Sequence, residues 1–591
     1  MPPPLPAAPV HAFPGGAPAA GSSDDRAEIA VALAGCRRHL VSALVFSLAL
    51  NLLYLASPIY MMQVYDRVVS GGSEATLVSL TVLLLVAFGA LASLDAARAR
   101  LLTRAGLRLD RQLSQRVVAA MMQASLVGEP QEQPLRDLDA LRHGLSGHAL
   151  PAILDLPWSP IYLAIIFMLH PVLGLFALVS AALLVALAVV GEVAVRRPSR
   201  HAAEAGARNA AFTAMSLRNA EVVQAMGMLP GFLARWRRDR DLSLASHQVA
   251  GERAGNIGAV IRFLRLSMQS TILGLGAYLV IVRAANPSAM FAASLLLGRM
   301  LQPVESIVAQ WRSLLATRSA YDRLAGLLAS QPRPRRVMPL PRPRGAVTLQ
   351  SVSYATPEAG RQILHGIDLA ILPGETVCAI GPSGAGKSTL AKLLVGVLAP
   401  ASGAVRLDGA DQSRIPRHAL GPHIGYLPQD IELFADTVHA NIARFATGPE
   451  ADAEVVRAAV VTGLHEMILS LPEGYETRIG EGGVQLSGGW RQRIALARAI
   501  FGNPALVVLD EPSSNLDKAG DAALARCLQE LKARGTSVFL VTHRPETSGL
   551  VDKVLVLRQG RLLAYGAPRQ ILHALNTIRR EAMHGGAEKR R

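Results

Sequence analysis

The chain carries a series of apolar runs, each close to the length that crosses a lipid bilayer. Residues 40–65 form the first, broken by Pro58, and 75–94 form a second without a charge. Residues 151–195 are apolar but too long for one crossing, and His170-Pro171 with Gly174 suit a tight turn that divides them. Two more runs lie on either side of Asn286-Pro287. A helix needs roughly 20 apolar residues to span the hydrocarbon. The runs therefore predict six spans, at about 40–65, 75–94, 151–169, 172–195, 257–282 and 289–309. Buried helices of a soluble protein are the alternative, and several uncharged runs of this length argue against it. The 51% hydrophobic content and mean hydropathy of +0.30 are also high for a soluble chain. A formal charge of +16 suits either nucleic acid or an anionic membrane surface. The hydropathy selects the membrane, with lipid as a partner and no nucleic acid.

Orientation follows from the placement of Lys and Arg. Arg37 and Arg38 precede the first span. Arg98, Arg100, Arg104, Arg108, Arg111 and Arg116 follow the second, and Arg196, Arg197, Arg200, Arg235, Arg237, Arg238 and Arg240 follow the fourth. The other loops are nearly bare. Both termini and both long loops are thus expected in the cytoplasm. Residues 101–125 and 202–253 are rich in Ala, Leu and Arg at helical spacing, so they read as membrane helices continuing into the cytoplasm. Their tips, at about 137–145 and 221–229, are candidate docking elements for a nucleotide domain; a solvated helical bundle is the alternative reading. Arg299 and Glu305 fall in the sixth run. Charges at such depth face a cavity or a partner. Lining a path through the bundle, pairing with other helices, and lying near the wet cytoplasmic end all fit.

Residues 1–26 are rich in Pro, Ala and Gly without apolar periodicity, and read as a disordered tail with no secretory-signal pattern. They are too short for an extra N-terminal domain. At 591 residues two or more domains are expected. The expected division is a helical membrane domain over 27–330, a stiff Pro/Arg linker over 331–345, a soluble α/β domain over 346–580 and a basic tail over 581–591. Cys36, Cys378 and Cys527 are far apart and give neither a disulfide framework nor a zinc spacing.

The soluble part centres on Gly381-Pro382-Ser383-Gly384-Ala385-Gly386-Lys387-Ser388, a full match to GxxxxGK[ST]. It follows the strand-like run Thr376-Val377-Cys378-Ala379-Ile380 and precedes a helix that begins at Thr389. That is the setting a phosphate-binding loop needs: glycines free the backbone amides to surround phosphate, and the helix N-terminus adds positive potential. Lys387 is placed to reach the β- and γ-phosphates and Ser388 to hold Mg²⁺. Further on, Leu506-Val507-Val508-Leu509 leads into Asp510-Glu511. Asp510 suits the fixing of Mg²⁺ through water, and Glu511 the polarising of the attacking water.

Leu486-Ser487-Gly488-Gly489-Trp490-Arg491-Gln492-Arg493 precedes a helix. With this segment the second half resembles the ATPase domain of an ABC transporter, whose signature is LSGG. The resemblance implies that Ser487, Gly488 and Gly489 act in trans on the γ-phosphate held by another copy. It implies that Tyr354 stacks on adenine and that Thr389 belongs to the ATP site. Gln429 would sense Mg²⁺ and contact the membrane domain, Asp517 would lie at a dimer seam, and His543 would touch the γ-phosphate. The family usually has Gln where Trp490 stands. The phosphate contacts come from Ser487 and the glycine backbone, so activity is expected to survive.

Six helices fused to one ATPase make half a transporter, so a homodimer is expected. Four membrane-half segments resemble type I secretion permease/ATPases of the PrtD kind. They are SPIYMMQVYDRV at 57–68, DLPWSPIY at 155–162, EVVQAMGM at 221–228 and GRMLQPVE at 298–305. The resemblance implies a six-helix transmembrane domain of the type I ABC exporter fold followed by an α/β P-loop ABC ATPase domain. It implies ATP and Mg²⁺ as cofactors, a bacterial inner-membrane location, and export of an unfolded polypeptide with a C-terminal signal. A periplasmic membrane fusion (adaptor) protein and an outer-membrane channel would be the partners. Export of lipid, peptide or a small molecule on the same scaffold is the alternative, and a non-transporting membrane ATPase is a third reading, which the intact Glu511 and His543 oppose.

Overall fold

The computed structural model describes residues 27–126, 133–147, 149–331, 341–356, 360–480, 483–514, 516–542 and 550–571. The chain divides into two compact units, Met1–Pro332 and Arg333–Arg591. The expected tail over 1–26, most of the expected linker and the basic tail lie outside the described residues.

Among the described residues the first unit is helical throughout. It comprises α1 (Ala27–Gly35), α2 (Arg37–Leu53), α3 (Ala56–Gln63, extended by a π-helical turn Val64–Val69), α4 (Glu74–Ala124), α5 (Gln133–Ser146), α6 (Ala149–Asp155), α7 (Ser159–Leu169), α8 (Pro171–Arg218), α9 (Ala220–Ala225), α10 (Leu229–Ile281), α11 (Pro287–Ala309) and α12 (Trp311–Ser330). Helix starts follow local chemistry. The Ser73 hydroxyl accepts from the Thr76 amide at 3.3 Å to cap α4, and Nδ1 of His170 accepts from the Val172 amide at 3.2 Å ahead of Pro171, which opens α8. Among the described residues five helical stretches are long and apolar enough to cross a membrane: Arg37–Val69, Glu74–Ala124, Ala149–Leu169, Pro171–Leu217 and Leu229–Ile281. The sixth predicted run forms α11, which carries Arg299 and Glu305 in its second half and is not one of these five.

Helices α4, α8 and α10 contain 51, 48 and 53 residues. At about 1.5 Å per residue they are rods of about 70–80 Å, more than twice the roughly 30 Å hydrocarbon thickness. Ile166, Leu173, Leu184, Ile272 and Leu296 join α7, α8, α10 and α11 in one core. Ile29, Leu109, Leu113, Leu138 and Leu324 join α1, α4, α5 and α12 in another. The most apolar stretch of α4, by contrast, has no buried residue, and Val78, Val82, Leu83, Leu85 and Val86 stand exposed along it.

One predicted loop tip is displaced. Residues 137–145 lie inside α5, which folds back along α4 and buries Leu138 and Leu141. Asp137 is itself buried and takes two bonds from the Arg323 guanidinium, at 2.8 and 2.6 Å. The chain reverses earlier, after α4 ends at Ala124. Helical spacing marks a buried face; it does not mark the point of reversal. The second tip, 221–229, falls at the turn that α9 makes between α8 and α10, with Val222, Met226 and Met228 exposed.

Among the described residues the second unit has ten strands: β1 (Val347–Ala355), β2 (Gln362–Ile371), β3 (Thr376–Ile380), β4 (Ser402–Leu407), β5 (Ala410–Asp411), β6 (Ile424–Leu427), β7 (Leu506–Asp510), β8 (Ser537–Val541), β9 (Lys553–Arg558) and β10 (Arg561–Gly566). They form an antiparallel sheet ordered β2-β1-β4-β5 and a six-stranded sheet ordered β10-β9-β3-β8-β7-β6. All neighbours in the larger sheet are parallel except β9 and β10. Strand β7 shows how one apolar run serves two cores. Val507 and Leu509 join one with Leu427, Ile494 and Leu528; Leu506 and Val508 join another with Val377, Leu390 and Phe539. A period of two and apolar contacts on both faces are what a central parallel strand requires. Helices α13 (Lys387–Leu394), α14 (Arg417–Leu420), α15 (Val438–Ile442), α16 (Pro449–Val461), α17 (His465–Leu469), α18 (Gly488–Ile500) and α19 (Lys518–Ala533) complete the unit.

Candidate functional site

Strand register brings the motifs together. Ala379 of β3 and Asp510 of β7 both lie opposite Val541 of β8, and Leu427 of β6 lies opposite Leu509. The loops after these strands therefore emerge at the same edge of the sheet, where ligands of open α/β folds bind. There they enclose a cleft of about 600 Å³ lined by Ser383, Gly384, Gly386, Lys387, Ser388, Thr389, Gln429 and Glu511. Residues some 120 positions apart in sequence thus share one wall.

The Gly-rich loop has the backbone its sequence demands. Gly386 has φ 99°, and a Cβ there would sit 2.8 Å from a methyl of Leu364. Gly381, at φ 157°, would place a Cβ 2.1 Å from the Leu557 carbonyl oxygen. Pro382 and Ala385 shape the loop without lining the cleft. Lys387 opens α13 and donates to the carbonyls of Gly381 and Pro382 at 2.9 and 3.0 Å. Burial pulls its pKa below the ordinary lysine value, against the opposing pull of Glu511 and Asp510. At the end of β7, burial raises the Asp510 carboxyl above its usual range and Glu511 adds to the rise, while a bond from Ser388 and the charges of Lys392 and Lys387 oppose it. Oδ1 of Asp510 is buried with no hydrogen-bond partner. An orphaned carboxylate oxygen beside a serine hydroxyl is an unmet demand for a cation. With the Gln429 amide it makes the oxygen-rich, sparsely protein-liganded set that suits Mg²⁺ held mainly by phosphates. Among the described residues no cluster of three or more His, Cys, Asp or Glu forms a self-sufficient metal site.

Glu511 has φ 51°, a left-handed conformation rare for a residue with a side chain. Its amide donates to the Val541 carbonyl at 3.0 Å. Other predicted residues lie elsewhere. Tyr354 is on β1, half-buried against the core, and does not line the cleft. Ser487, Gly488 and Gly489 begin α18 and do not line it either; Ser487 is extended and makes no capping bond. Asp517 caps α19, accepting from the Gly520 amide at 2.7 Å, and Trp490 packs half-buried against the core. His543 lies outside the described residues. Sequence reasoning missed the opposite wall, which is formed by Thr356, Arg361, Gln362, Ile363, Gln559 and Gly560. These come from the β1–β2 connection, the first residues of β2 and the β9–β10 connection, where the Gly560 amide donates to the Ala385 carbonyl at 3.1 Å. The one signal for them was the Gln559-Gly560 turn between two apolar runs.

The membrane unit holds a separate polar cluster. The Arg98 guanidinium donates to Ser47 Oγ at 2.9 Å, Asp155 Oδ1 at 2.8 Å and Asp95 Oδ1 at 2.7 Å. Asn51 donates to Asp155 at 3.1 Å, and the Tyr162 hydroxyl donates to the Asn51 carbonyl at 2.9 Å. Four helices are joined this way. Arg299 stacks over the Tyr54 ring at 3.8 Å and faces the same cavity of about 180 Å³ as Asp95, Arg98 and Asp155. Glu305 pairs with Arg265 of α10 at 2.7 Å. Of the three placements open to these two charges, partnering with other helices describes both.

An α-helical membrane unit followed by a two-sheet P-loop unit defines the ABC exporter class. The fold matches the solved structure of a bacterial Atm1-family ABC exporter with ATP bound, at a TM-score of 0.77 and 23% identity, over 91% of this chain and 96% of that one. The family model for the ABC transporter transmembrane region matches residues 40–304, and that for the ABC transporter itself matches 364–514. The type I secretion system ATP-binding protein PrsD of Rhizobium meliloti is 40% identical over 94% of this chain and 95% of its own length. The cyclolysin secretion/processing ATP-binding protein CyaB of Bordetella pertussis is 30% identical over 91% of this chain and 76% of its own. The alpha-hemolysin translocation ATP-binding protein HlyB of Escherichia coli is 29% identical over the same shares. This chain belongs to the type I secretion ABC transporters.

Proposed function

We propose that this protein is the ABC component of a type I secretion system and drives an unfolded polypeptide across the bacterial inner membrane with ATP. The observation that carries the reading is a relationship to PrsD spanning both units, joined to a cleft in which Lys387, Ser388, Gln429 and Glu511 meet. The relatives act on proteins, which favours this passenger class over lipids or small molecules.

In this reading ATP binds along the Gly-rich loop. The amides of 383–389 and Lys387 hold the phosphates, exchanging the lysine's internal carbonyl bonds for phosphate oxygens. Tyr354 stacks on adenine. Ser388, Asp510 and Gln429 hold Mg²⁺, which when bound neutralises phosphate charge. Glu511 polarises the attacking water, and His543 contacts the γ-phosphate. Ser487, Gly488 and Gly489 do not line the cleft of their own chain, which fits their action on the nucleotide of a second copy, with Asp517 at the seam. The working form is a homodimer. The first unit makes six crossings, α11 included, with both termini in the cytoplasm, as the Arg distribution favours. A periplasmic adaptor, an outer-membrane channel and a passenger with a C-terminal signal complete the system.

The test is secretion of a candidate passenger from cells carrying the wild-type chain or Glu511→Gln. Loss of secretion with retained membrane insertion supports the reading. Unchanged secretion of that passenger sinks it.

A further inference from the structure

We propose that Gln492 is a positioning residue that sets the backbone of Glu511 from the signature helix, and so ties the two ATP sites of the dimer together. The proposal rests on the reading above, in which Glu511 serves the nucleotide on its own chain while Ser487 and Gly489 serve the partner's.

Gln492 lies in the first turns of α18 and is 1% exposed. Its Nε2 donates to the Glu511 carbonyl at 3.2 Å, to the Pro512 carbonyl, and toward Ser514 Oγ at 3.4 Å. Glu511 is thus gripped on both sides, its amide by the last residue of β8 and its carbonyl by α18, which shares it with the Ser514 amide of the following turn at 3.2 Å. This grip matters because its φ of 51° lies in a region that L side chains rarely adopt. Without outside bonds the residue relaxes toward negative φ and its carboxylate turns away from the cleft. Such strain persists where surrounding contacts over-determine it. The next residue of α18 repeats the device. Arg493 donates to Asp517 Oδ1 at 2.7 Å, the oxygen that also caps α19. Consecutive residues of one helix therefore hold the two ends of the segment 511–517.

The helix that makes these bonds begins at Ser487-Gly488-Gly489. Whatever those residues dock on shifts α18 as a rigid body. Through Gln492, a phosphate bound from one site adjusts the base of the other. The bonds act on Glu511 and not on the Gly-rich loop that holds the nucleotide, so turnover moves more than nucleotide affinity.

The experiment is steady-state ATPase of the full-length transporter in lipid nanodiscs, comparing wild type, Gln492→Met and Glu511→Gln. Methionine keeps the length of the side chain and removes its N–H. We expect kcat to fall about tenfold or more with KM for ATP within twofold, and a Hill coefficient above 1 in the wild type to fall toward 1. Should Gln492→Met fail to fold, Gln492→Asn keeps the amide, shortens its reach and gives the same split to a smaller degree. A folded variant with wild-type kcat or an unchanged Hill coefficient overturns the proposal, as does a rise in KM alone. An active Glu511→Gln overturns the underlying assignment of the base instead, so the two failures are told apart.

Discussion

Lys387 and Asp510 in the ATPase unit and Arg98 in the membrane unit are all nearly fully buried charges, but they are held in different ways. Lys387 lines the cleft and Asp510 lies just behind it, each at the end of a secondary-structure element, and their needs are incompletely met: the lysine leans on its own loop's carbonyls, and Oδ1 of Asp510 has no partner. Arg98 lies along a helix and is bonded to Ser47, Asp155 and Asp95 at once. An unmet group gains on binding a ligand. A saturated one gains nothing and instead fixes the helices around it. The contrast separates groups that await a substrate from groups that hold the frame on which it acts.

Substitutions in each region should break different things. Glu511→Gln is expected to lower ATPase turnover by about 10²–10⁴-fold, the range for a lost general base, with the melting temperature nearly unchanged. A comparable loss of stability would place Glu511 with the structural charges. Arg98→Leu takes the arginine from the partly buried Asp155, while the largely exposed Asp95 is compensated by water; the expected cost is about 1–3 kcal/mol, below the penalty for a fully buried pair. Its signature is a lower melting temperature with nucleotide affinity retained. Adding Asp155→Leu should recover part of the loss; no recovery would mean that the arginine acts alone.

A smaller effect depends on pH. The folded-state pKa of Asp510 is raised, chiefly by burial. For a carboxyl shifted upward, stability is fully present below the unfolded value, near 3.8, and is lost as pH rises through the folded value. Nucleotide-free Asp510→Asn should therefore melt higher than wild type at neutral pH and lose that advantage on acidification, while its Mg-ATPase is abolished. An equal or lower melting point at pH 7 contradicts the orphan-oxygen account. Trp490→Gln is expected to do least. It exchanges half-buried packing for one side-chain hydrogen bond, worth about 0.5–1.5 kcal/mol. ATPase rate and ATP affinity within a few-fold of wild type bear this out; a large change in either moves Trp490 into the machinery.

The same contrast explains what could be read from the chain alone. Phosphate loops and strand-end carboxylates are legible because backbone geometry dictates residue type at fixed spacing. Gly381, Gly386 and the Asp510-Glu511 pair are each required by a turn or a strand end. The membrane runs were legible from length and hydropathy. Arg98 was read only as part of a positive loop, since two of its three partners lie 51 and 57 residues away and are assembled by packing. The loop tip at 137–145 was misplaced because α5 keeps the same apolar stripe on either side of any supposed reversal. The cleft wall from Arg361 and Gln559 left almost no trace, because it is built from turns that tolerate many residues.

The long rods carry a consequence for how the gene can change. Helix α10 places Ile261, Met268 and Ile272 in the membrane core and buries Ser243 and Ala250 farther along, with no break among its 53 residues. One inserted residue between those regions would rotate one end against the other by about 100° and expose whichever face had been buried. Three whole turns, about 11 residues, would nearly restore the phase. Single-residue insertions and deletions should be lethal in the rods and tolerated in the connections, so the rods can change length only in whole-turn steps.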